Sequence, residues 1–183
     1  MLLRHAALIA LAACGANPPD PCAAPVGDPS QPIELQAVAV DASGSILALH
    51  DGDTLLLQKP PQGGYVIYAG AAARNLMPCG ATVTAYLLDR STGAALTNLD
   101  QRRADFTVAA GGFWQSAQPY AQTPNIPACP DALDVGVAGR PATLHVTVSD
   151  AQARSASVDV DVTASCGGDP ACACVCGADP AHC

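Results

Sequence analysis

Nine cysteines, at positions 14, 22, 79, 129, 166, 172, 174, 176 and 183, are the strongest constraint on what this 183-residue chain can fold into. So many thiols are foreign to a reducing compartment, whereas in an oxidising one they form a disulfide framework. The rest of the composition explains why staples are needed. Alanine supplies 37 residues, and Leu, Ile, Val and Phe together only 38, so a core built from them buries little apolar area per residue. Each disulfide can contribute about 2–4 kcal/mol by restricting the unfolded chain. Sixteen prolines and sixteen glycines favour turns and short strands over a helical bundle. The net charge is −8, Lys59 is the only lysine, and Arg102-Arg103 is the only basic pair, so no surface can neutralise a run of nucleic-acid phosphates. No apolar run reaches the roughly 18 residues of a spanning helix.

The chain starts Met-Leu-Leu-Arg-His and continues with an apolar stretch over residues 6–13. A cationic head before a short apolar core is the layout of an export signal. Leu11-Ala12-Ala13-Cys14 resembles the lipobox of bacterial lipoproteins. That resemblance implies that residues 1–13 are removed and that Cys14 becomes a lipid-bearing first residue, anchored stably because it carries more than one chain. Loss of Arg4 with the signal takes the charge from −8 to −9. Residues 14–32 hold six prolines, at 18, 19, 21, 25, 29 and 32, and read as an extended tether.

With Cys14 lipidated, eight cysteines remain, which allow on the order of a hundred pairings. In an extended chain, residues two apart lie roughly 6.6 Å between Cα atoms, at the edge of disulfide reach. On that basis Cys172, Cys174 and Cys176 do not bond one another and take partners among the other five. The two left over then pair, and Cys79 with Cys129 is the natural choice because both lie inside the body. Cys22, Cys166 and Cys183 are left to meet the tail trio.

Residues 33–165 carry period-two patterning. Ile33, Leu35, Ala37 and Ala39 alternate with Glu34, Gln36, Val38 and Val40, a mediocre strand pattern. Asp51-Gly52-Asp53 lies between apolar segments 46–49 and 54–57 as a hairpin turn would. Further strands fit Tyr65-Val66-Ile67-Tyr68, residues 82–88, 105–109 and 113–115. The clearest pattern is the last. Ala142, Leu144, Val146 and Val148 alternate with polar residues, as do Val158, Val160 and Val162 beyond a turn at 150–154. Matching the faces requires paired numbers with an even sum. A sum of 304 sets Val146 against Val158 and His145 against Asp159, a surface pair worth less than ~1 kcal/mol. Residues 119–130 read as a long proline-rich loop, and no amphipathic helix is evident. Seven to nine short strands with turns every 8–12 residues predict an all-β sandwich of two antiparallel sheets.

The lipobox at Cys14, Asp51-Gly52-Asp53-Thr54 with Pro61-Gln62-Gly63-Gly64, the hairpin strand Val146-Thr147-Val148-Ser149-Asp150, Cys166 and Cys172-Ala173-Cys174-Val175-Cys176 together resemble a group of myxobacterial (deltaproteobacterial) lipoproteins with immunoglobulin-like domains. The resemblance implies an immunoglobulin-like sandwich over 33–165, a cysteine-rich tail over 166–183, and an outer-membrane or cell-surface location. It carries no catalytic residue onto this chain.

Candidate chemistry is sparse. With His5 lost in the signal, His50, His145 and His182 are the candidate bases, and no nucleophile elbow, zincin, P-loop or dinucleotide motif is present. Ser43 and Ser45 near His50 fit a turn. Asp51, Asp53, Asp159 and Asp161 could ligate calcium, but they fit a turn and a solvated strand face. Trp114, Phe113 and Tyr120 fit either core or a sugar-stacking platform. Cys172, Cys174 and Cys176, with His182 and Cys183, would suit zinc or copper(I), although C-x-C-x-C lacks the usual zinc spacing. The expected function is non-catalytic: a structural, adhesive or partner-binding envelope lipoprotein, held to the membrane by its N-terminal lipid, without cofactor, and facing a protein or glycan partner. An envelope metal-binding protein using the C-terminal cysteines is the alternative.

Overall fold

A computed structural model describes Cys22, residues 24–130 and residues 136–177. The signal segment, Cys14, His182 and Cys183 lie outside the described residues. The described residues are mostly β, with two short α-helices and one 3-10 turn at Ala110–Gly112. The strands are β1 (Glu34–Val40), β2 (Ile46–Ala48), β3 (Asp53–Leu56), β4 (Tyr65–Arg74), β5 (Ala81–Asp89) and β6 (Asp100–Ala104). They continue as β7 (Phe106–Val108), β8 (Trp114–Ser116), β9 (Asn125–Cys129), β10 (Pro141–Ser149) and β11 (Ser155–Ser165). Helix α1 (Pro119–Gln122) precedes β9, and α2 (Pro170–Cys176) follows β11.

Two sheets share one core. The first runs β2-β1-β4-β8-β7, with β9 pairing the start of β4; the second runs β3-β11-β10-β5-β6. Every pairing within them is antiparallel except β3 with β11, which is parallel. Period-two patterning does the sorting: on β10, Ala142, Leu144, Val146 and Val148 are buried, and on β5 Ala81, Val83, Ala85 and Leu87 meet them in the same core. Strand β4 is buried along nearly its whole length. Tyr65, Ile67, Ala69, Ala71 and Ala73 enter the main core, while Val66 and Tyr68 join Val40 in a smaller cluster backed by Ile46. Gly70 marks a close approach in mid-strand: a Cβ there would lie 3.2 Å from Thr123 Cγ2 and 3.3 Å from Pro124 Cδ.

The predicted β10–β11 register is present, with Val146 opposite Val158 and His145 opposite Asp159. The strands expected at 105–109 and 113–115 are β7 and β8. Other expectations are corrected. Asp51-Gly52-Asp53 is a turn but not a hairpin, because β2 pairs β1 in one sheet whereas β3 pairs β11 in the other. The cause is local docking: Gly52 N donates to Asp161 O at 2.8 Å, and Asp161 N donates to Asp51 Oδ1 at 2.9 Å, so the turn is bound to β11 and carries the chain across. Residues 119–130 are not one loop; they form α1 and β9, the latter carrying Pro127 and pairing β4 with a register shift at Tyr65/Val66. Strand β6, Asp-Gln-Arg-Arg-Ala, has too little apolar character to be recognised from sequence and is held by pairing with β5.

The end of the proline-rich stretch is docked on the domain. Val26 is buried, and its N and O exchange hydrogen bonds with Leu76 at 2.8 and 3.1 Å. Gly27 has φ +71°, and a Cβ there would fall 2.5 Å from Asn75 Oδ1, the atom that accepts the Asp28 amide at 3.0 Å. Asn75 Nδ2 donates to Pro32 O at 3.0 Å, so one buried amide fastens both ends of residues 28–32.

Candidate functional site

The cysteine framework differs from the expected one. Cys79 does not pair with Cys129. Cys22 bonds Cys79, Cys129 bonds Cys176, and Cys166 bonds Cys172, with Cα–Cα distances of 5.3, 5.2 and 5.5 Å. Cys174 is also disulfide-bonded. No bond joins two of Cys172, Cys174 and Cys176, as the elimination required. The step that fails is the choice of Cys79 and Cys129 as the remaining pair, because the tail is helical, not extended, and its Cys176 reaches Cys129. Asp169-Pro170 starts a helix: Asp169 Oδ1 accepts the amides of Ala171 and Cys172 at 2.9 and 3.3 Å, and Pro170 fills the first turn. An Asp-Pro pair before a short alanine-containing run was the available sequence signal. On a helix, Cys172 and Cys176 share a face at i, i+4 and are fully buried, while Cys174 lies exposed. Tyr65 OH donates to Asp169 Oδ2 at 2.8 Å, tying the cap to β4. That hydrogen bond holds the Asp169 carboxyl below its ordinary value and, together with burial, raises the Tyr65 phenol.

The two staples of the tail converge. The Sγ atoms of Cys166, Cys172 and Cys176 lie within 4.8 Å of one another, the only such group of potential metal ligands among the described residues. The four aspartates suggested for calcium are not gathered. Asp159 Oδ1 meets His145 Nδ1 at 2.6 Å, Asp161 pairs with Arg90 at 2.7 Å, Asp53 Oδ2 accepts the His50 amide at 2.8 Å, and Asp51 holds β11 as above. His145 is half-buried, with its ring 5.0 Å from that of Tyr86, so its pair with Asp159 is less open than expected. Ser43 and Ser45 belong to the β1–β2 turn, where Asp41 Oδ1 accepts Ser43 Oγ at 2.6 Å and the amides of Ser43 and Ser45 at 2.8 and 2.9 Å. Those bonds, the Ser43 hydroxyl foremost, hold the Asp41 carboxyl below its ordinary value.

The aromatic residues divide. Trp114 packs half-buried against the core, and Phe113 lies under the Arg74 guanidinium at 5.1 Å. Tyr120, from α1, instead forms the wall of a groove of about 550 Å³ at the edge where β1, β3 and β4 meet. Its ring stands edge-on to Tyr68 with centroids 4.9 Å apart, and its hydroxyl donates to Asp41 O at 2.7 Å. Gly44 adopts φ +86° in the β1–β2 turn, the left-handed region that favours glycine, and the Tyr120 ring lies against it. Leu56, Pro60 and Pro61 form the opposite side, with Lys59 between them, and Gln58 Nε2 is fixed on Val40 O at 2.5 Å. Burial, followed by the nearby Tyr120, raises the Tyr68 phenol, which stays a neutral donor at physiological pH. The groove therefore offers two aromatic rings, two prolines, an exposed leucine and one cation, without a carboxylate among its lining residues. Nothing in the sequence pattern joined residues 56–61 to Tyr68 and Tyr120; only the fold does.

No protein-family model, curated protein or solved structure matches this chain.

Proposed function

We propose that this chain is an exported, lipid-anchored envelope protein, non-catalytic, whose immunoglobulin-like domain binds a partner protein through the Tyr68–Tyr120 groove. The groove carries the reading. Two tyrosine rings on an apolar surface without acidic groups match a protein-interface core, in which aromatic residues are enriched, Asp and Glu depleted, and a few rigid anchors supply most of the affinity. Lys59 adds a preference for a segment with an acidic side chain beside its apolar residues.

The domain assignment is supported by strand order. In chain order β1, β4, β5, β7, β8, β10 and β11 occupy the places of strands A to G, giving A-B-E-D in one sheet and C-F-G in the other. β6 extends the second sheet beside β5. Lipid anchoring rests on the lipobox ending at Cys14, and the oxidised cysteines agree with an oxidising compartment.

The test is photo-crosslinking in cells that produce the full chain, with the reactive residue placed at Leu56 or Pro61, and at Thr107 on the distant β7 as control. A discrete protein adduct from the groove positions, lost with Tyr120→Ala, is the expected result. Adducts at Thr107 alone, adducts with polysaccharide, or none would overturn the reading. For the anchor, the expected N-terminal peptide starts at a lipid-modified Cys14, and an unmodified Cys14 would refute it.

A further inference from the structure

We propose that Cys129, Cys166, Cys172 and Cys176, when reduced, form a four-thiolate site for a soft closed-shell metal ion of the zinc class. This goes beyond the partner-binding reading and does not depend on it. The three sulfurs of Cys166, Cys172 and Cys176 already lie within 4.8 Å of one another, and Cys129 Sγ is one bond from that of Cys176. Tetrahedral zinc with Zn–S bonds of about 2.3 Å needs sulfurs about 3.8 Å apart. Among Cys166, Cys172 and Cys176 the bonded pair opens and the other pairs close by up to about 1 Å, while Cys129, outside that 4.8 Å group, swings in once its bond to Cys176 is broken.

The ligands come from three separate elements and make up the four that a closed structural site uses. Cys129 ends β9, Cys166 follows β11, and Cys172 and Cys176 project from one face of α2. Cys172 and Cys176 are fully buried and Cys129 nearly so, and Cys166 is half-buried. Three residues separate Cys172 from Cys176, within the two-to-four spacing typical of structural zinc pairs. The interleaved Cys174 obscures that spacing in the sequence, but it lies on the exposed side of the helix and is not part of the set.

The chemistry balances with a dithiol reductant. Each protein disulfide takes two electrons and two protons from one dithiol, giving two thiols and a cyclic disulfide. Four thiols then bind one divalent ion and release four protons. Re-oxidation by two equivalents of a small-molecule disulfide restores both S–S bonds and expels the ion. The tail is thus either doubly stapled or metal-bound, never both.

The experiment reduces the full chain anaerobically with a phosphine, removes the phosphine, and titrates cobalt(II) followed by zinc(II). One cobalt per chain, with the tetrahedral absorption and thiolate charge-transfer bands of an S₄ site displaced by zinc, is expected. Cys129→Ser, Cys166→Ser, Cys172→Ser and Cys176→Ser should each weaken binding at least about tenfold, while Cys174→Ser leaves it unchanged. Hydrogen exchange must show that zinc restores protection across β9 and α2 in the reduced chain. Absence of stoichiometric cobalt, dependence on Cys174 in place of Cys176, or binding without restored protection would each overturn the proposal.

Discussion

Replacing both cysteines of a disulfide with alanine removes one cross-link from the unfolded chain, and the three mapped bonds differ enough to be ranked. Cys22–Cys79 and Cys129–Cys176 span sequence separations of 57 and 47, whereas Cys166–Cys172 spans 6. Loop-closure entropy then assigns about 4 kcal/mol to each of the long bonds and about 2 kcal/mol to the short one. Burial adds to the middle case. Both Cys129 and Cys176 are buried, so their truncation leaves a void in the core that costs on the order of 1 kcal/mol more. Cys22 is exposed and adds no comparable void, and in the short loop Cys172 alone is fully buried, so the void there is smaller than that left by Cys129 and Cys176 together. The expected order of destabilisation is Cys129/Cys176→Ala, then Cys22/Cys79→Ala, then Cys166/Cys172→Ala. With a urea m-value of about 2 kcal/mol/M, the long-loop variants lose about 2 M in midpoint and the short-loop variant about 1 M. Fluorescence of Trp114, the single tryptophan, follows the transition without reductant. A short-loop variant as unstable as the long-loop ones, or a Cys129/Cys176 variant that loses less than about 1 kcal/mol, would refute the reasoning.

Three further perturbations address other joints of the fold. Burial pushes the Asp150 carboxyl up, but the Arg154 guanidinium and the amides of Arg154, Gln152 and Met77 more than offset it and hold it below its ordinary 3.8. Its contribution is thus present above the unfolded carboxyl value and is lost as pH falls through the lower folded value. Asp150→Asn should cost about 3 kcal/mol at pH 7 and flatten the loss of stability below pH 4, measured by urea unfolding across pH. An equal loss at pH 7 and at pH 2 would contradict it. Gly27→Ala forces a side chain into a positive-φ position and onto Asn75 Oδ1, and should cost about 1–3 kcal/mol with faster exchange of the Val26 amide. Unchanged exchange there would mean that residues 26–32 are not docked. A double-mutant cycle on His145 and Asp159 should return less than ~1 kcal/mol despite their 2.6 Å contact, because Asp159 is largely exposed; a coupling above 2 kcal/mol would overturn that.

What the sequence made legible follows from where local pattern and tertiary structure agree. The β10–β11 register could be derived by parity because both strands alternate cleanly and a one-residue slip would turn every valine outward. β5 was visible for the same reason, whereas β1 alternates only in its first half, Val38 and Val40 being buried along with Ala37. The Asp51-Gly52-Asp53 turn was visible, but its partners were not: whether a turn returns to its own sheet depends on Asp161, more than a hundred residues later. β6 and β9 were missed because they are polar or proline-bearing strands that existing neighbours recruit. The cysteine pairing went wrong at one choice, the pairing of Cys79 with Cys129 because both lie inside the body. Once Asp169 caps α2, Cys172 and Cys176 turn inward together, towards Cys166 and Cys129, and Cys79 is left for Cys22. The groove was beyond sequence reasoning, since its walls come from segments that have no common pattern.

The most direct test of this account is disulfide mapping of the unreduced protein by proteolysis and mass spectrometry, under acidic conditions that prevent exchange. The account predicts linked peptides for Cys22–Cys79, Cys129–Cys176 and Cys166–Cys172, and no free thiol at Cys174. A Cys79–Cys129 peptide, or Cys176 found with any partner other than Cys129, would contradict it, because the tail helix would then not be fastened to β9.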